Sequence, residues 1–354
     1  MANFKRIGVL TSGGDAPGMN NAVRAVACAA IAGGVEVYGI IGGYSGLVHD
    51  RVRPLTSRDV ANIVKDGGTM LYSDRCLEFK TEEGMAAAVA TCKKYGIDGI
   101  IACGGDGTFR GATDLCNRGI PTIGIPCTID NDITSTDYAI GYDTAMNTVI
   151  QMIDRLRDTC ESHARCNVVE VMGNHAGGIA VQTAVATGAV GCVIAEEPFD
   201  EAALMEKIKK EKDEGKRGFI VVVSELIPDY ADPAFAKRIQ EATEVETKFA
   251  RLAHVVRGGD PTLRDRVTAA KMGSRAVAEL LAGKSNLVIC EQNNEIVSLD
   301  INFAQTADRI YKGKAKPEEI EKYSAEEQEI IRATVAKKQQ YFKDMMALVE
   351  ELSI

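Results

Sequence analysis

The sequence lacks any apolar run long enough to span a membrane. Its first residues pass directly into the strand-like segment 7–10, with neither an apolar signal core nor a cleavage site. None of its ten cysteines forms a C-x-x-C pair, which disfavours a zinc knuckle or a dithiol redox site. Scattered cysteines of this kind are typical of reduced core residues, so we expect a cytoplasmic protein.

Positive charge is also scarce. The chain has 41 Lys and Arg against 50 Asp and Glu, which gives a formal net charge of −9. Because this average field would repel nucleic acid and anionic membranes, we expect neither as a partner. The 354 residues, 45% of them hydrophobic, are sufficient for two domains with well-buried cores.

Two common nucleotide-binding motifs are missing after the first strand. The G-x-G-x-x-G spacing is absent, and the next strand, 35–41, does not end in an acidic ribose ligand. No Gly-Lys-Ser/Thr Walker sequence follows either. Instead, residues 11–18 read Thr-Ser-Gly-Gly-Asp-Ala-Pro-Gly before a helix, where backbone amides can face an anion. A tight turn that requires glycine explains this segment equally well.

Short apolar runs alternate with segments of helical periodicity in the first part of the chain. The strand-like runs are 7–10, 35–41, 99–103 and 122–125, and the helix-like segments are 20–32 and 108–116. This alternation indicates an α/β fold. Continuous apolar runs suit a parallel sheet covered on both faces, and such sheets carry ligand-binding loops at their carboxyl edge.

A second series of strand-like runs follows Asp132. It comprises residues 168–172, 191–194 and 218–223, and it predicts a second sheet. The tail after Pro317 has helical periodicity, and Ser324 with Glu327 forms a capping-box pattern at the start of its main helix.

Residues 104–108, Gly-Gly-Asp-Gly-Thr, follow one of the buried strands. A carboxylate between glycines at a strand end is poorly placed for core packing and well placed for a hydrated magnesium ion, so we assign Asp106 as a metal ligand. Glycine-rich loops of this type recur in several kinases, including NAD kinases and lipid kinases. The motif therefore predicts phosphoryl transfer without identifying the acceptor.

Residues 126–132, Pro-Cys-Thr-Ile-Asp-Asn-Asp, follow the next strand. If this loop is extended, the carboxylates of Asp130 and Asp132 point the same way and supply a base together with a metal or water partner. The hydroxyl of Thr128 adds a polar contact for an acceptor. The structural alternative is that Asp130 caps the helix that follows.

Taken together, eight segments resemble the 6-phosphofructokinase family, of the bacterial and ATP-dependent type. They are residues 11–20, 67–69 with Arg75, 104–108, 126–132, 153–159, 162–165, 169–173 and 257–259. The match runs in order across roughly the first 300 residues, so it is more specific than any single motif.

The resemblance implies an α/β protein of two Rossmann-like three-layer domains with mostly parallel sheets and an active site in the cleft between them. Residues 1–140 plus about 256–306 would form the nucleotide-binding domain. Residues 141–255 plus about 307–354 would form the sugar-phosphate-binding domain with a C-terminal helical extension. The implied reaction is phosphorylation of fructose 6-phosphate at the 1-hydroxyl by MgATP, which gives fructose 1,6-bisphosphate and ADP in glycolysis.

The resemblance also implies roles for individual residues. The catalytic residues would be Asp130 as the base, Asp132, Thr128, Gly14 and Arg75. The nucleotide pocket would comprise Gly14, Tyr44, Arg75, Cys76, Gly105, Asp106, Gly107 and Thr108, with Mg²⁺ on Asp106. The sugar phosphate would contact Thr128, Asp130, Asp132, Arg165, Met172, Gly173, Glu225, Lys248, His254 and Arg257.

Within this set Arg165 and Lys248 would reach into the site of a neighbouring subunit, which predicts a homo-oligomer, either a tetramer or a dimer. Considered without the resemblance, an arginine such as Arg165 or Arg257 is typical of a solvated surface. His254 alone would be read as a core or capping histidine, and Met172 as a packing residue.

Several positions depart from the family. Cys127 stands where ATP-using members carry glycine and pyrophosphate-using members carry lysine, whereas Gly107 is the ATP-type residue. Because Cys127 supplies no cation, we expect ATP as the donor, with a pyrophosphate-dependent phosphofructokinase as the alternative. Asn174 and Lys248 replace arginines, and a lysine offers a point charge instead of a planar fork. A non-catalytic sugar-phosphate-binding subunit is a more remote alternative, disfavoured by the three aspartates of the two loops.

Overall fold

The computed structural model describes residues 4–353 of the chain. The strands are β1 Arg6–Thr11, β2 Glu36–Ile40, β3 Val52–Leu55, β4 Gly99–Gly104, β5 Thr122–Pro126, β6 Arg165–Val171, β7 Gly191–Val193, β8 Phe219–Ser224, β9 Glu246–Arg251, β10 Leu287–Gln292 and β11 Glu295–Asp300. The helices are α1 Met19–Ala32, α2 Gly43–Val48, α3 Glu82–Tyr95, α4 Asp106–Asn117, α5 Tyr142–His163, α6 Gly178–Thr187, α7 Glu201–Asp213, α8 Pro233–Thr243, α9 Leu263–Leu281, α10 Ile301–Tyr311, α11 Pro317–Glu321 and α12 Ala325–Leu352. Short 3₁₀ helices lie at Ile63–Lys65, Glu78–Lys80 and Ala253–Arg257.

Contacts between residues divide the chain into two units. Unit 1 contains the chain up to Ile129, then Ile133–Thr144 and Arg257–Val335. Unit 2 contains Asp130–Asp132, Ala145–Val256 and the chain from Ala336. Within residues 4–353, no helix is both long enough and apolar enough to cross a membrane.

The sheet of unit 1 has the strand order β11-β10-β5-β4-β1-β2-β3. Its inner strands pair in parallel, and the edge strands β3 and β11 run antiparallel to their neighbours. All six residues of β4 are buried, as expected of a parallel strand covered on both faces. The prediction of an α/β fold is confirmed, and the expected runs 7–10, 99–103 and 122–125 lie within β1, β4 and β5.

The sheet of unit 2 has the order β7-β8-β6-β9, and every pairing in it is parallel. The strands expected in the second series are present as β6, β7 and β8. β9 was not predicted, because Glu246, Lys248 and Arg251 leave it without a continuous apolar run; it lies at the sheet edge. Phe219, Phe235 and Ile239 are among the buried side chains that fill the core beside this sheet.

The helical tail begins as predicted. Ser324 and Glu327 form a reciprocal capping box, in which the Glu327 N–H donates to Ser324 Oγ at 3.2 Å and the Ser324 N–H donates to Glu327 Oε2 at 2.8 Å. The sequence interpretation assigned everything after about residue 306 to the second domain, whereas contacts keep the chain in unit 1 through Val335. Tyr323 holds this segment there, since its ring packs against Phe303 of α10 at a centroid distance of 5.6 Å.

The carboxylate of Asp265, near the start of α9, is completely buried. It accepts hydrogen bonds from the Tyr138 hydroxyl at 2.5 Å, the Gly141 N–H at 2.6 Å, and the N–H and hydroxyl of Thr144 at 2.9 and 2.5 Å. Burial raises the pKa of Asp265, and the hydrogen bonds from Thr144 and Tyr138 oppose that shift. The side chain thereby fastens the start of α5 and the segment before it to α9.

We predict that Asp265→Asn lowers the free energy of unfolding by about 2–3 kcal/mol, because the amide presents one carbonyl oxygen to four donors and leaves part of the buried network unsatisfied. Urea denaturation followed by circular dichroism measures the change. Asp260→Asn, at an exposed position in the same unit, is the control and should be neutral. Equal denaturation midpoints for the two variants would contradict the role of Asp265.

Candidate active site

Three loops follow the carboxyl ends of β1, β4 and β5, which are neighbours in the sheet of unit 1. Each loop begins by hydrogen bonding to the adjacent strand. The Ser12 N–H donates to the Cys103 carbonyl and the Cys127 N–H donates to the Gly104 carbonyl, both at 3.0 Å. The starts of the three loops therefore lie side by side at one sheet edge, where ligand loops of parallel sheets are expected.

Gly104 permits the close approach of the first two loops. A Cβ atom at this position would lie 2.4 Å from the Ser12 carbonyl oxygen and 2.3 Å from Thr108 Oγ1. With glycine in place, the Thr108 hydroxyl donates to the Ser12 carbonyl at 3.1 Å. The predicted nucleotide residue Thr108 thus joins the start of α4 to the glycine-rich loop after β1.

Asp106 is the first residue of α4, at the end of the helix whose amides favour anions. Its carboxylate pairs with Arg110 one turn along at 3.0 Å and accepts a hydrogen bond from the Gln305 side chain at 3.3 Å. The sequence interpretation missed both partners. Arg110 could have been found from its i,i+4 spacing, whereas Gln305 comes from a distant part of the chain.

A divalent cation fits Asp106 as a shared ligand. Magnesium in nucleotide sites is held by one or two carboxylates together with substrate phosphate oxygens. Asp106 offers a hard oxygen ligand with a side chain that is 26% exposed. Across residues 4–353, no group of three or more His, Cys, Asp or Glu side chains is arranged to hold a metal by itself. The residues present therefore fit a cation that arrives with phosphate.

Tyr44 supports the first turn of α4. Its hydroxyl donates to the Thr108 carbonyl at 2.6 Å, and its ring stacks on Phe79 at a centroid distance of 4.2 Å. Burial raises the pKa of Tyr44, so the phenol stays protonated and keeps donating. Of the other expected nucleotide residues, Gly107 and Arg75 are exposed. The remaining two, Gly105 and Cys76, are half-buried.

Gly14 and Arg257 meet in unit 1, although they are 243 positions apart in the sequence. A Cβ atom at Gly14 would lie 2.5 Å from Arg257 Nη1, and this nitrogen donates to the Asp15 carbonyl at 3.2 Å. The glycine leaves room for the guanidinium directly beside the loop. Two residues predicted to contact phosphate groups are thereby brought together.

The loop that carries Asp130 and Asp132 is not extended, so the condition under which the two carboxylates were expected to point the same way is not met. Asn131 between them has a φ of 49°, in the left-handed region that asparagine tolerates better than most residues. Both carboxylates are half-buried, as is Thr128. The next helix, α5, begins only at Tyr142, which excludes the alternative that Asp130 caps it.

Three of the expected sugar-phosphate residues lie together in unit 2, at the carboxyl edge of its sheet. Met172 and Gly173 follow β6 and Glu225 follows β8. Glu225 Oε1 accepts hydrogen bonds from the N–H groups of Gly173 at 3.1 Å and Asn174 at 2.7 Å. Asn174, which replaces a family arginine, therefore takes part in this turn through its backbone.

Arg165 and Lys248 also meet, through a residue that the sequence interpretation missed. Glu246 pairs with Arg165 at 2.7 Å and with Lys248 at 2.9 Å. Hydrogen bonds from Lys248 and Arg165 lower the pKa of Glu246 to about 2. This cluster lies at the amino edge of the sheet, because Arg165 begins β6 and Glu246 begins β9.

Two further basic residues lie near β9. The guanidinium of Arg251, at the end of β9, pairs with Glu170 at 2.8 Å and is therefore engaged within unit 2. His254 is exposed in the short 3₁₀ helix Ala253–Arg257.

Comparison with known proteins agrees with these features. A Phosphofructokinase family model matches residues 6–280. A Bacillus licheniformis protein named ATP-dependent 6-phosphofructokinase is 50% identical over 298 residues, which cover 84% of this chain and 93% of that protein. An Enterococcus faecalis protein of the same name is 47% identical over 315 residues, or 89% and 96%.

Among solved structures, phosphofructokinase from Saccharomyces cerevisiae has a TM-score of 0.79 and 29% identity to the chain. The similarity covers 94% of this chain, which spans 50% of the length of the yeast chain. One family assignment accounts for the order of strands and loops, the residues at the sheet edges and the extent of these matches. The chain belongs to the phosphofructokinase family.

Proposed function

We propose that the chain catalyses the transfer of the γ-phosphoryl group of MgATP to the 1-hydroxyl of fructose 6-phosphate in glycolysis. The relatives that share about half of its sequence are named ATP-dependent 6-phosphofructokinase. The observation that carries the proposal is the single sheet edge at which the glycine loop, Asp106 and the start of the acceptor loop meet. Alignment and charge neutralisation supply most of the rate enhancement in phosphoryl transfer.

The proposed reaction assigns the proton to Asp130. The 1-hydroxyl oxygen bonds to the γ-phosphorus, the bond from that phosphorus to the bridging oxygen of ATP breaks, and the hydroxyl proton passes to the Asp130 carboxylate. Asp132 and Thr128 hold the acceptor, and Gly14 and Arg75 stabilise the transferring group. Magnesium bound with ATP at Asp106 would neutralise phosphate charge.

We predict that Asp130→Asn lowers kcat by about 10²- to 10⁴-fold, because the amide keeps the shape of the side chain but cannot accept the proton. The KM for fructose 6-phosphate should change little. A coupled assay of fructose 1,6-bisphosphate formation measures both constants. Asp213→Asn, on the exposed end of α7, is the matched control. A near-normal kcat in the Asp130 variant would remove this residue from the role of base.

The surroundings of Cys127 support ATP as the donor. Its side chain is completely buried, and its pKa is raised by burial and by the neighbouring Cys103. The thiol is therefore neutral and carries no cation that would favour a smaller donor. The exposed Gly107 adds no side chain to the region expected to receive the nucleotide.

We predict turnover of fructose 6-phosphate with MgATP and only background turnover with magnesium pyrophosphate. The reason is that Cys127 stands where pyrophosphate-using members carry a lysine, so no cation favours the smaller donor. Product formation by the purified protein with each donor at equal concentration decides this. Activity with pyrophosphate alone would establish the pyrophosphate-dependent alternative, and binding without turnover would establish a non-catalytic subunit.

The geometry of unit 2 supports a homo-oligomer with shared sites, either a tetramer or a dimer. Arg165 begins β6, whereas Met172 follows its other end. At about 3.3 Å per residue the two lie roughly 20 Å apart, too far to hold one sugar phosphate within a single chain. Arg165 and Lys248 are therefore proposed to complete the site of a neighbouring subunit.

Complementation tests this arrangement. Chains carrying Asp130→Asn and chains carrying Arg165→Ala should each be nearly inactive, but co-expressed chains should recover about a quarter of wild-type activity. Random assembly gives a site an intact Asp130 in half of the cases and an intact neighbouring Arg165 in half of those. Mixtures of separately folded, non-exchanging oligomers serve as the control. Failure of the co-expressed chains to recover activity would show that both residues act within one chain.

We also propose a cytoplasmic location. All ten cysteines lie within the described residues and none of them is in a disulfide, as is usual for proteins of a reducing compartment.

A further inference from the structure

The C-terminal helix reaches the loop that carries the proposed base. Lys338 of α12 is half-buried, and its Nζ donates a hydrogen bond to the backbone carbonyl of Asn131 at 3.2 Å. Both residues belong to unit 2. Asn131 lies between Asp130 and Asp132, so the lysine contacts the backbone between the two carboxylate-bearing residues.

The backbone conformation of Asn131 needs support from neighbouring groups. Asn131 is buried and has a left-handed backbone conformation, with a φ of 49°. L-residues adopt this conformation at a cost and keep it where the surroundings hold it in place. A charged donor to the carbonyl is stronger than a neutral one and fixes the direction of the peptide.

The lysine is itself held in position. Its ammonium lies 6.0 Å from the centre of the Tyr341 ring and 5.8 Å from that of Phe342, within reach of both aromatic faces. Phe342 is buried, and the Tyr341 hydroxyl accepts a hydrogen bond from Gln182 of α6 at 2.7 Å. The cation therefore projects from a packed part of α12.

We propose that Lys338 is a positioning residue for phosphoryl transfer: by holding the Asn131 carbonyl, it orients the carboxylates of Asp130 and Asp132 toward the acceptor hydroxyl. The inference rests on the proposed function of this loop. α12 lies wholly beyond residues 6–280, the part of the chain that the family model matches. The C-terminal extension thereby contributes to the chemistry of the acceptor loop.

The test compares Lys338→Met, Lys338→Arg and wild type. The methionine variant should lower kcat by about 10- to 100-fold, because a small misplacement of a reacting group has an effect of this size. Its KM values for ATP and fructose 6-phosphate and its thermal midpoint should stay close to wild type, a split that general destabilisation would not produce. The arginine variant retains a charged donor and should recover most of the loss.

Lys343→Met is the matched control, because it removes the same charge from an exposed position on the same helix. Should Lys338→Met fail to fold, Lys338→Gln takes its place, since its neutral and shorter side chain also loses the charged contact. A folded Met or Gln variant with wild-type kcat would overturn the proposal. So would an arginine variant whose kcat is no higher than that of the methionine variant. Inactive wild-type protein would instead refute the proposed function.

Discussion

The parallel pairing of β1, β4 and β5 is the constraint on which the candidate site depends. Parallel neighbours end at the same sheet edge, so the loops that follow them emerge together. The backbone bonds from Ser12 and Cys127 continue the ladder beyond the strands, and Thr108 ties α4 to the first loop. The glycine-rich loop after β1 and Asp106 are thus built from the same sheet edge that supports the core.

Local sequence patterns predicted the parts of the fold that depend on local physics. Buried parallel strands read as continuous apolar runs, and the capping box of α12 requires only two residues three apart. The β10–β11 hairpin was missed because its turn consists of Asn293 and Asn294, with φ values of 52° and 66°, instead of an Asn-Gly pair. Asparagine supplied the left-handed turn that glycine usually provides.

The site was predicted less completely, because its supporting contacts join distant segments. The loops themselves were visible in the sequence. Gln305 against Asp106, Lys338 against Asn131 and the left-handed Asn131 were not, since no spacing rule connects such positions. Departures from the family pattern were visible, yet only the fold revealed that Arg251 is paired with Glu170 and that the Cys127 side chain is buried.

The ion pairs of Glu246 have a consequence for any phosphate that approaches this edge of unit 2. While no phosphate is near, the Glu246 carboxylate occupies the place of an anionic ligand. It holds Arg165 and Lys248 in position and neutralises part of their positive charge. A phosphate that takes the place of this carboxylate binds by an exchange of anions, in which its attraction to the two cations replaces that of Glu246. The selectivity of such an exchange favours dianions over single carboxylates, because only the former return more charge than they remove.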